Sequence, residues 1–273
     1  MTEDRDRSGV LRAAWDEAAA AYDRYFVPRF APWATAAVDA LPPVLPAGPI
    51  LVPCCGSFPE LPLLARRYPD RPVIGIDLSP GMLAVARPRL AGVPQAEVVE
   101  SDATDLRKRW PGTAAAVVSV FGLQQLPDPA YALRDWLATL RSGGWLSVMF
   151  WPDPVETDGP FALLDELLGH DPREARPDPA YADVLRPAGA TVARDEPVRF
   201  AMAHPDAATF FTAVTTGGPL RALADRRGEA FVDQLRRAFL DRAPSGAWHH
   251  RPAACHLLAS GRNEREAARP PPR

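Results

Sequence analysis

Residues 73–83 have the sequence VIGIDLSPGML. The apolar run at 73–77 ends in the carboxylate of Asp77. Ser79 and Pro80 follow with the composition of a helix start, because Ser caps helix N-termini and Pro fits the first turn. An apolar strand that ends in an acidic residue beside a helix is typical of nucleotide-binding α/β sheets, which bind ligands at the carboxyl ends of their strands. The stretch therefore predicts a parallel sheet with a ligand at this edge.

The chain on both sides of this stretch alternates short apolar runs with helical periodicity. Further strands are predicted at 49–53, 97–101, 114–121 and 145–151, with helices at 60–67, 79–90 and 129–140. Continuous apolar strands separated by helices indicate a parallel sheet that is buried on both faces. Two later strands, at 191–203 and 254–260, fit a sheet closed by an antiparallel hairpin. The prediction is an α/β fold with a Rossmann-like, mostly parallel seven-stranded sheet and helices on both faces.

Four regions are predicted along the chain. Residues 1–48 form an N-terminal helical lid of two helices, interrupted near Pro28 and Pro32. The cofactor-binding Rossmann-like core follows at 49–151. A helical cap insertion after strand five, together with the final strands, occupies 152–262, with helices at 160–168, 206–215 and 220–241. The charged, Pro-rich tail at 263–273 is predicted to be disordered.

Composition narrows the classes of partner. The 273 residues are 47% hydrophobic and 24% charged, as in ordinary globular proteins. A net charge of −3 gives no basic footprint for nucleic acid or an anionic membrane, and no apolar run is long enough to span a bilayer. Cys54, Cys55 and Cys255 have neither disulfide-framework nor zinc-ligand spacing, so no metal is expected. We expect a cytoplasmic protein that acts on a small molecule; its oligomeric state stays open.

A cofactor site is predicted where the strands end. Gly56 lets the backbone of the turn at 53–60 approach a ligand closely, and the helix after it points amides at that ligand. Asp77 lies 21 residues later, where an acidic group accepts hydrogen bonds from both hydroxyls of a ribose. Asp102, after strand three, can accept from the exocyclic amine of an adenine. A helix cap for Asp77 and a loop cap or solvated charge for Asp102 are the alternatives.

Residues 49–151 resemble class I S-adenosylmethionine-dependent methyltransferases, most of all the small-molecule branch related to ubiquinone- and menaquinone-type enzymes. Residues 73–83 are similar to that family's second motif, and 121–129 and 140–144 to later ones. The pattern from Trp15-Asp16 to Tyr22-Asp23 is similar to the helix that lids the cofactor. The resemblance implies S-adenosylmethionine as cofactor, with Asp77 on the ribose and the Gly56 loop around the methionine part. The other cofactor-binding residues that it implies are Tyr22, Cys54, Glu60, Leu78, Met82, Asp102, Ala103 and Phe121.

The first motif departs from the family pattern. That pattern runs acidic-x-Gly-x-Gly-x-Gly, whereas this chain has Val52, Cys54, Gly56 and Phe58 at the matching positions. Phe58 places a bulky side chain where close backbone approach is expected, which favours a displaced loop. Glu60 is a candidate to replace the missing carboxylate by contacting the amino group of the methionine part. An acidic residue favoured by the dipole of a helix first turn is the alternative.

The candidates for substrate binding are aromatic side chains of the lid and cap together with one amide: Trp15, Tyr25, Phe26, Gln124, Trp151, Phe210 and Phe211. They suit a flat, apolar substrate, and plain core packing is the alternative for each of them. His249 and His250 are candidate catalytic bases, because imidazole titrates near neutral pH. A surface loop beside the last strand is the alternative for these two.

The predicted function is transfer of a methyl group from S-adenosylmethionine to a small aromatic or apolar metabolite by in-line displacement. The Arg-, Pro- and Ala-rich composition also suits a tailoring role in secondary metabolism. One alternative keeps the fold but, because of the degenerate first motif, assigns a reaction other than methylation or a non-catalytic partner role. A nicotinamide-dependent dehydrogenase is weakened by the lack of a Gly-x-Gly-x-x-Gly loop.

Overall fold

The computed structural model describes residues 2–169, 180–218 and 220–261. The tail predicted at 263–273 lies outside these residues. Nine strands are present in the described ranges: β1 Ile50–Pro53, β2 Val73–Asp77, β3 Ala96–Glu100, β4 Ala114–Val120, β5 Leu140–Phe150, β6 Thr191–Arg199, β7 Met202–His204, β8 Trp248–His250 and β9 Ala253–Ser260. In the same part of the chain, no helix combines the length and apolar composition needed to cross a bilayer.

Seven of these strands form one sheet in the order β3-β2-β1-β4-β5-β9-β6. The pairs among β1 to β5 are parallel, and β9 is antiparallel to both β5 and β6. The strand order reverses beside β1, between β2 and β4, so the loops after β1 and β4 diverge and leave a crevice. The predicted Rossmann-like, mostly parallel seven-stranded sheet is therefore confirmed.

Helices surround the sheet, and we keep the name lid for the first two of them and the name cap for the sixth, eighth and tenth. The helices are α1 Thr2–Tyr25, α2 Val27–Asp39, α3 Leu61–Arg67, α4 Pro80–Ala86, α5 Pro129–Thr139, α6 Pro160–Leu167, α7 Tyr181–Leu185, α8 Ala207–Thr216, α9 Arg221–Arg227 and α10 Glu229–Arg242. Short 3-10 turns occur at Arg87–Leu90, Leu106–Lys108 and Leu123–Gln125.

Three apolar clusters account for the packing. One face of the sheet is covered by α2, α3 and α4, with Trp33 and Leu61 fully buried. The other face is covered by α5 and α7, with Trp136 fully buried. Because helices cover both faces, every β1 and almost every β4 residue is buried, which explains their uninterrupted apolar sequences. A third cluster around Phe210 and Phe239 holds α6, α8 and α10 together as the cap.

Three details differ from the sequence-based expectations. The single strand predicted at 191–203 is two strands, β6 and β7, which belong to different sheets. The helix predicted at 220–241 is broken into α9 and α10 at Gly228, whose φ of 81° is a conformation that other residues rarely adopt. The β6–β9 pair is not a simple hairpin, since β7, three helices and β8 lie between its strands. Strand β8 was not predicted, because three residues are too few to show a period.

Candidate active site

A cavity of about 530 Å³ opens at the carboxyl ends of β1, β2 and β4, below α1 and α2. Its position is the point of strand reversal, where open α/β sheets bind ligands, and its size is in the range of small-molecule sites. All ten residues predicted to bind the cofactor line it: Tyr22, Cys54, Gly56, Glu60, Asp77, Leu78, Met82, Asp102, Ala103 and Phe121.

The loop after β1 keeps the backbone shape of a glycine-rich turn without most of the glycines. Cys54, Gly56 and Phe58 all have positive φ, at 54°, 52° and 62°. A residue other than glycine loses about 1–2 kcal/mol in this conformation, so surrounding packing must hold it. Phe58 is fully buried, and a Cβ on Gly75 would lie 2.8 Å from its ring. The side chain of Phe58 therefore points into the core and leaves the cavity wall to backbone atoms.

Asp77 holds this loop in place. The backbone N–H of Gly56 donates to its Oδ2 at 2.8 Å, and the N–H of Ser79 donates to its Oδ1 at 2.9 Å. Burial raises the pKa of Asp77, whereas these amide hydrogen bonds oppose the rise and the nearby charge of Asp16 adds to it. Each carboxylate oxygen keeps a second lone pair, so both can still accept from a ligand hydroxyl.

Glu60 is the second acid of the cavity wall. It is 3% exposed, and its Oε2 has no hydrogen-bond partner in the described part of the chain. Desolvation raises its pKa to about 7, opposed by a backbone hydrogen bond and the positive charge of Arg89. A buried carboxylate oxygen without a partner is costly unless a ligand supplies one. Glu60 is therefore fitted to accept from a cationic donor in the cavity.

Helix α1 is docked onto the site by two acidic residues. Ser79 Oγ and the N–H of Gly81 both donate to Asp16 Oδ1, at 2.6 and 2.9 Å. A Cβ on Gly81 would lie 2.6 Å from the backbone O of Asp16, so only glycine allows this approach. About two turns further along α1, Asp23 accepts from Ser57 Oγ at 2.5 Å and forms an ion pair with Arg89. The sequence pattern placed this helix over the cofactor but gave no role to its acids.

The opposite end of the cavity is formed by the loop after β3. Asp102 Oδ1 accepts from the backbone N–H and the hydroxyl of Thr104, both at 2.8 Å. The carbonyl O of Ala103 accepts from Trp136 Nε1 at 2.6 Å, which ties this loop to the core. Met82 is buried and lines the cavity on the side of α4. This end offers apolar surface and one carboxylate, as a purine requires.

The predicted substrate residues divide into two groups. Trp15 and Gln124 line the cavity, whereas Tyr25, Phe26, Trp151, Phe210 and Phe211 do not. Phe26, Phe210 and Phe211 are buried in the cap core, and Trp151 stacks behind Phe121 with ring centroids 4.1 Å apart. Each of these aromatic rings thus has a packing role.

Sequence reasoning missed the wall provided by α2. Val27, Phe30 and Ala34 line the cavity from one face of this helix. The ring of Phe30 meets that of Phe121 edge-on at 4.8 Å. Helical periodicity identified the helix, but its crossing over β4 depends on tertiary packing that periodicity does not contain.

The two candidate bases lie outside the cavity lining. His249 is exposed on β8, and His250 is buried in a chain of side chains between the lid and the cap. His250 Nδ1 is 2.6 Å from Glu156 Oε2, its Nε2 is 2.9 Å from His204 Nε2, and His204 Nδ1 is 2.8 Å from the hydroxyl of Tyr25. We call Tyr25, His204, His250 and Glu156 the buried relay.

The relay has a consistent direction of donation. Burial, the neighbouring His250 and Arg29 lower the pKa of His204 to about 3, which keeps that ring neutral. A neutral His204 ring carries one N–H, so when the Tyr25 hydroxyl donates to His204 Nδ1, His204 Nε2 donates to His250 Nε2, and His250 Nδ1 donates to Glu156. The partners are separated by 179, 46 and 94 residues in the chain, so no local sequence signal joins them.

Comparison with known proteins identifies methyltransferases. A family model described as a methyltransferase domain matches residues 50–144. The chain is 34% identical over 224 residues to a trans-aconitate 2-methyltransferase of Methylobacterium radiotolerans, an alignment that covers 75% of this chain and 80% of that protein. It is 34% identical over 153 residues to a demethylmenaquinone methyltransferase of Clavibacter sepedonicus, covering 54% of this chain and 60% of that one.

The match to other relatives is shorter. The chain spans 48% and 59% of the length of two further curated trans-aconitate 2-methyltransferases. Among solved structures, a chain from Bacillus halodurans described as a candidate methyltransferase superposes with a TM-score of 0.57 at 16% identity, covering 84% of this chain and 99% of that one. At this identity the superposition shows a common fold.

Proposed function

Because this chain belongs to the class I S-adenosylmethionine-dependent methyltransferases, we propose that it transfers a methyl group to a small aromatic or apolar metabolite by in-line displacement. The observation that carries the proposal is the position of Asp77, fixed by two amides at the carboxyl end of β2 on the wall of the cavity. The comparisons do not favour the alternatives, which are a reaction other than methylation, a non-catalytic partner role and a nicotinamide-dependent dehydrogenase.

The residues of the cavity fit the cofactor. Glu60 offers a buried carboxylate oxygen without a partner in the described part of the chain, as the ammonium of a methionine part requires. The loop around Gly56 exposes backbone to the cavity, since a Cβ on Gly56 would meet no atom closer than 3.8 Å. S-Adenosylmethionine supplies a methyl group on a cationic sulfur: the acceptor's lone pair forms a bond to that carbon, the carbon–sulfur pair stays on sulfur, and the acceptor's proton leaves to water.

We assign the following contacts with the cofactor to the chain's own residues. Asp77 accepts hydrogen bonds from the ribose hydroxyls, and Glu60 accepts from the ammonium. Met82 and Ala103 pack against the adenine while Asp102 accepts from its amine. The remaining contacts to the cofactor are assigned to Tyr22, Cys54, Leu78 and Phe121, which line the same cavity. Alignment of this kind supplies about 7–11 kcal/mol of a two-substrate barrier without any charged catalytic group.

The acceptor is assigned to the end of the cavity between α1, α2 and the loop after β4. Trp15, Phe30 and Phe121 provide flat apolar surface there, and Gln124 is the polar side chain beside them. Gln124 Nε2 donates to the carbonyl O of Phe121 at 2.8 Å, which fixes the orientation of its amide. Relatives are named for two kinds of substrate, a carboxylic acid and a quinone-type ring; the aromatic wall favours a ring for this chain.

We do not assign a base to His249 or His250, since neither lines the cavity and His250 is held by Glu156. A nucleophile whose proton passes to water after the methyl transfer needs no such group. We keep the cytoplasm as the proposed compartment; the reduced thiols of Cys54 and Cys55 support it.

Calorimetry on the full chain tests the proposal with S-adenosylmethionine, its demethylated product and NAD as ligands. We expect the first two to bind and NAD not to bind. Asp77→Ala is expected to weaken binding of the product at least about tenfold, because two hydrogen bonds to a charged group are lost. Asp183→Ala, which removes an exposed acid of α7, is the control. Unchanged affinity in a folded Asp77→Ala protein, or NAD binding alone, would contradict the assignment.

A further inference from the structure

The cavity wall has an unbalanced charge. Four acidic side chains line it in the described part of the chain: Glu60, Asp77, Asp102 and Asp128. The basic side chain found among the described lining residues is Arg12, and its guanidinium is 2.8 Å from Glu100. Arg12 therefore already forms an ion pair with an acid outside the cavity wall.

Three of these acids have only neutral hydrogen-bond donors within the described ranges. The groups that donate to Asp77, Asp102 and Asp128 are backbone amides and one hydroxyl, which stabilise a carboxylate without cancelling its charge. Asp102 and Asp128 are exposed, so water screens them, whereas Glu60 is buried. The ammonium assigned to Glu60 balances that residue alone. An anionic group that enters the cavity thus gains no ion pair from these acidic side chains.

The acceptor end offers an anion no cationic side chain among the residues described. It is formed by Val27, Phe30 and Ala34 of α2 together with Val120, Phe121, Trp15 and Gln124. The amide nitrogen of Gln124 already donates to the carbonyl O of Phe121. An ionised carboxylate placed against such a surface loses its hydration and gains no cationic side chain from the described lining residues of this end. A cationic sulfur beside this surface is instead satisfied by the face of an electron-rich ring, through a cation–π interaction.

We propose that the site selects against negative charge, so that its methyl acceptor is an uncharged planar ring that bears a nucleophilic heteroatom, and polycarboxylic acids are rejected. This inference rests on the proposed function. It goes further in setting the sign of the charge that the acceptor carries, which the shape of the cavity alone leaves open.

Calorimetry with a matched pair of probes tests this inference. The full chain, saturated with S-adenosylhomocysteine, is titrated at neutral pH with 2-naphthol and with 6-hydroxy-2-naphthoate, which differ by one carboxylate. We expect 2-naphthol to bind at least about tenfold more tightly. Val27→Lys adds a cation to the acceptor end and is expected to bring the naphthoate at least to the affinity of the naphthol. Val27→Met has similar length without charge and is expected to leave the preference for naphthol in place.

The outcomes distinguish a failure of the charge selection from a failure of the proposed methyl transfer. Equal or tighter binding of the naphthoate to the wild type overturns the charge selection, as does a Val27→Lys protein that gains no more than Val27→Met. Binding of S-adenosylhomocysteine with neither probe overturns the uncharged-ring acceptor while the proposed methyl transfer stands. Failure of S-adenosylhomocysteine to bind overturns the proposed function itself.

Discussion

Replacing Glu156 tests the buried relay that joins the lid to the cap. Glu156 is 6% exposed; its Oε2 accepts from His250 at 2.6 Å and its Oε1 from the backbone N–H of Phe161 at 2.8 Å. Glu156→Leu removes both acceptors and leaves two buried donors without partners. At about 1.5–3 kcal/mol for each hydrogen bond to a charged group, we expect the free energy of unfolding to fall by about 3–5 kcal/mol.

Glu156→Gln is the discriminating variant. Its amide oxygen can still accept from the Phe161 N–H, while its NH₂ group faces His250 Nδ1. The rings of His250 and His204 can then exchange tautomers, so that donation runs from the new amide towards Tyr25. The variant loses the charge but keeps the chain of hydrogen bonds, and we expect a loss of about 1–2 kcal/mol.

Urea unfolding followed by circular dichroism measures both effects, with the m-value checked for constancy. Glu166→Gln is the control, because Glu166 is an exposed acid paired with Arg242, and its unfolding midpoint is expected to stay unchanged. A Glu156→Leu protein within about 0.5 kcal/mol of the wild type would refute the reasoning. Equal losses in the Leu and Gln variants would refute the reversal of the tautomers.

Three further predictions concern pH and close packing. Burial lowers the pKa of His204 to about 3 and of His256 to about 4, so below about pH 6.5 the unfolded chain binds protons that the folded chain does not. Stability should fall on acidification, by about 2 kcal/mol per histidine at pH 5, in urea titrations at several pH values. Gly81→Ala should undock α1 and raise its rate of limited proteolysis. Gly122→Ala should cost about 1–3 kcal/mol through its clash with Cys54, and the double variant with Cys54→Gly should recover most of it.

A specific result would contradict each of these three predictions. His256→Gln should reduce the fall of the free energy of unfolding at acidic pH. An unchanged fall in this variant would show that the histidine does not cause it. Gly81→Ala with wild-type proteolysis would show that α1 tolerates the extra methyl group. Additive losses for Gly122→Ala and Cys54→Gly would show that the clash between the two positions is not the cause.

The core of the fold could be predicted because its signals are local. Strands β1, β2 and β4 came from continuous apolar runs, and β2 was predicted with its observed bounds, 73–77. Asp77 could be placed at the cavity because the fold puts the end of β2 at the ligand edge whatever the surrounding side chains are. The order of these local signals was therefore sufficient for the sheet and for the acid at its rim.

The acceptor wall and the relay could not be predicted in the same way. Phe30 faces the cavity because α2 crosses the sheet there, whereas Phe210 faces the cap core because α10 packs against it. Both are aromatic residues on amphipathic helices, so the sequence alone does not tell which of them contacts a ligand. His250 was predicted as a candidate base because its partner, Glu156, lies 94 residues earlier in the chain and gives no local signal. Long-range contacts decide which of several equivalent side chains meets the ligand.

The two atypical residues of the loop after β1 have glycines as their spatial neighbours. A Cβ on Gly122 would lie 2.3 Å from the Cβ of Cys54, and Gly75 has the same relation to the ring of Phe58. Each of the two atypical residues thus has room because the position that faces it carries no side chain. The residue tolerated at position 54 therefore depends on position 122, and the residue tolerated at 58 depends on position 75, so each pair has to be considered together.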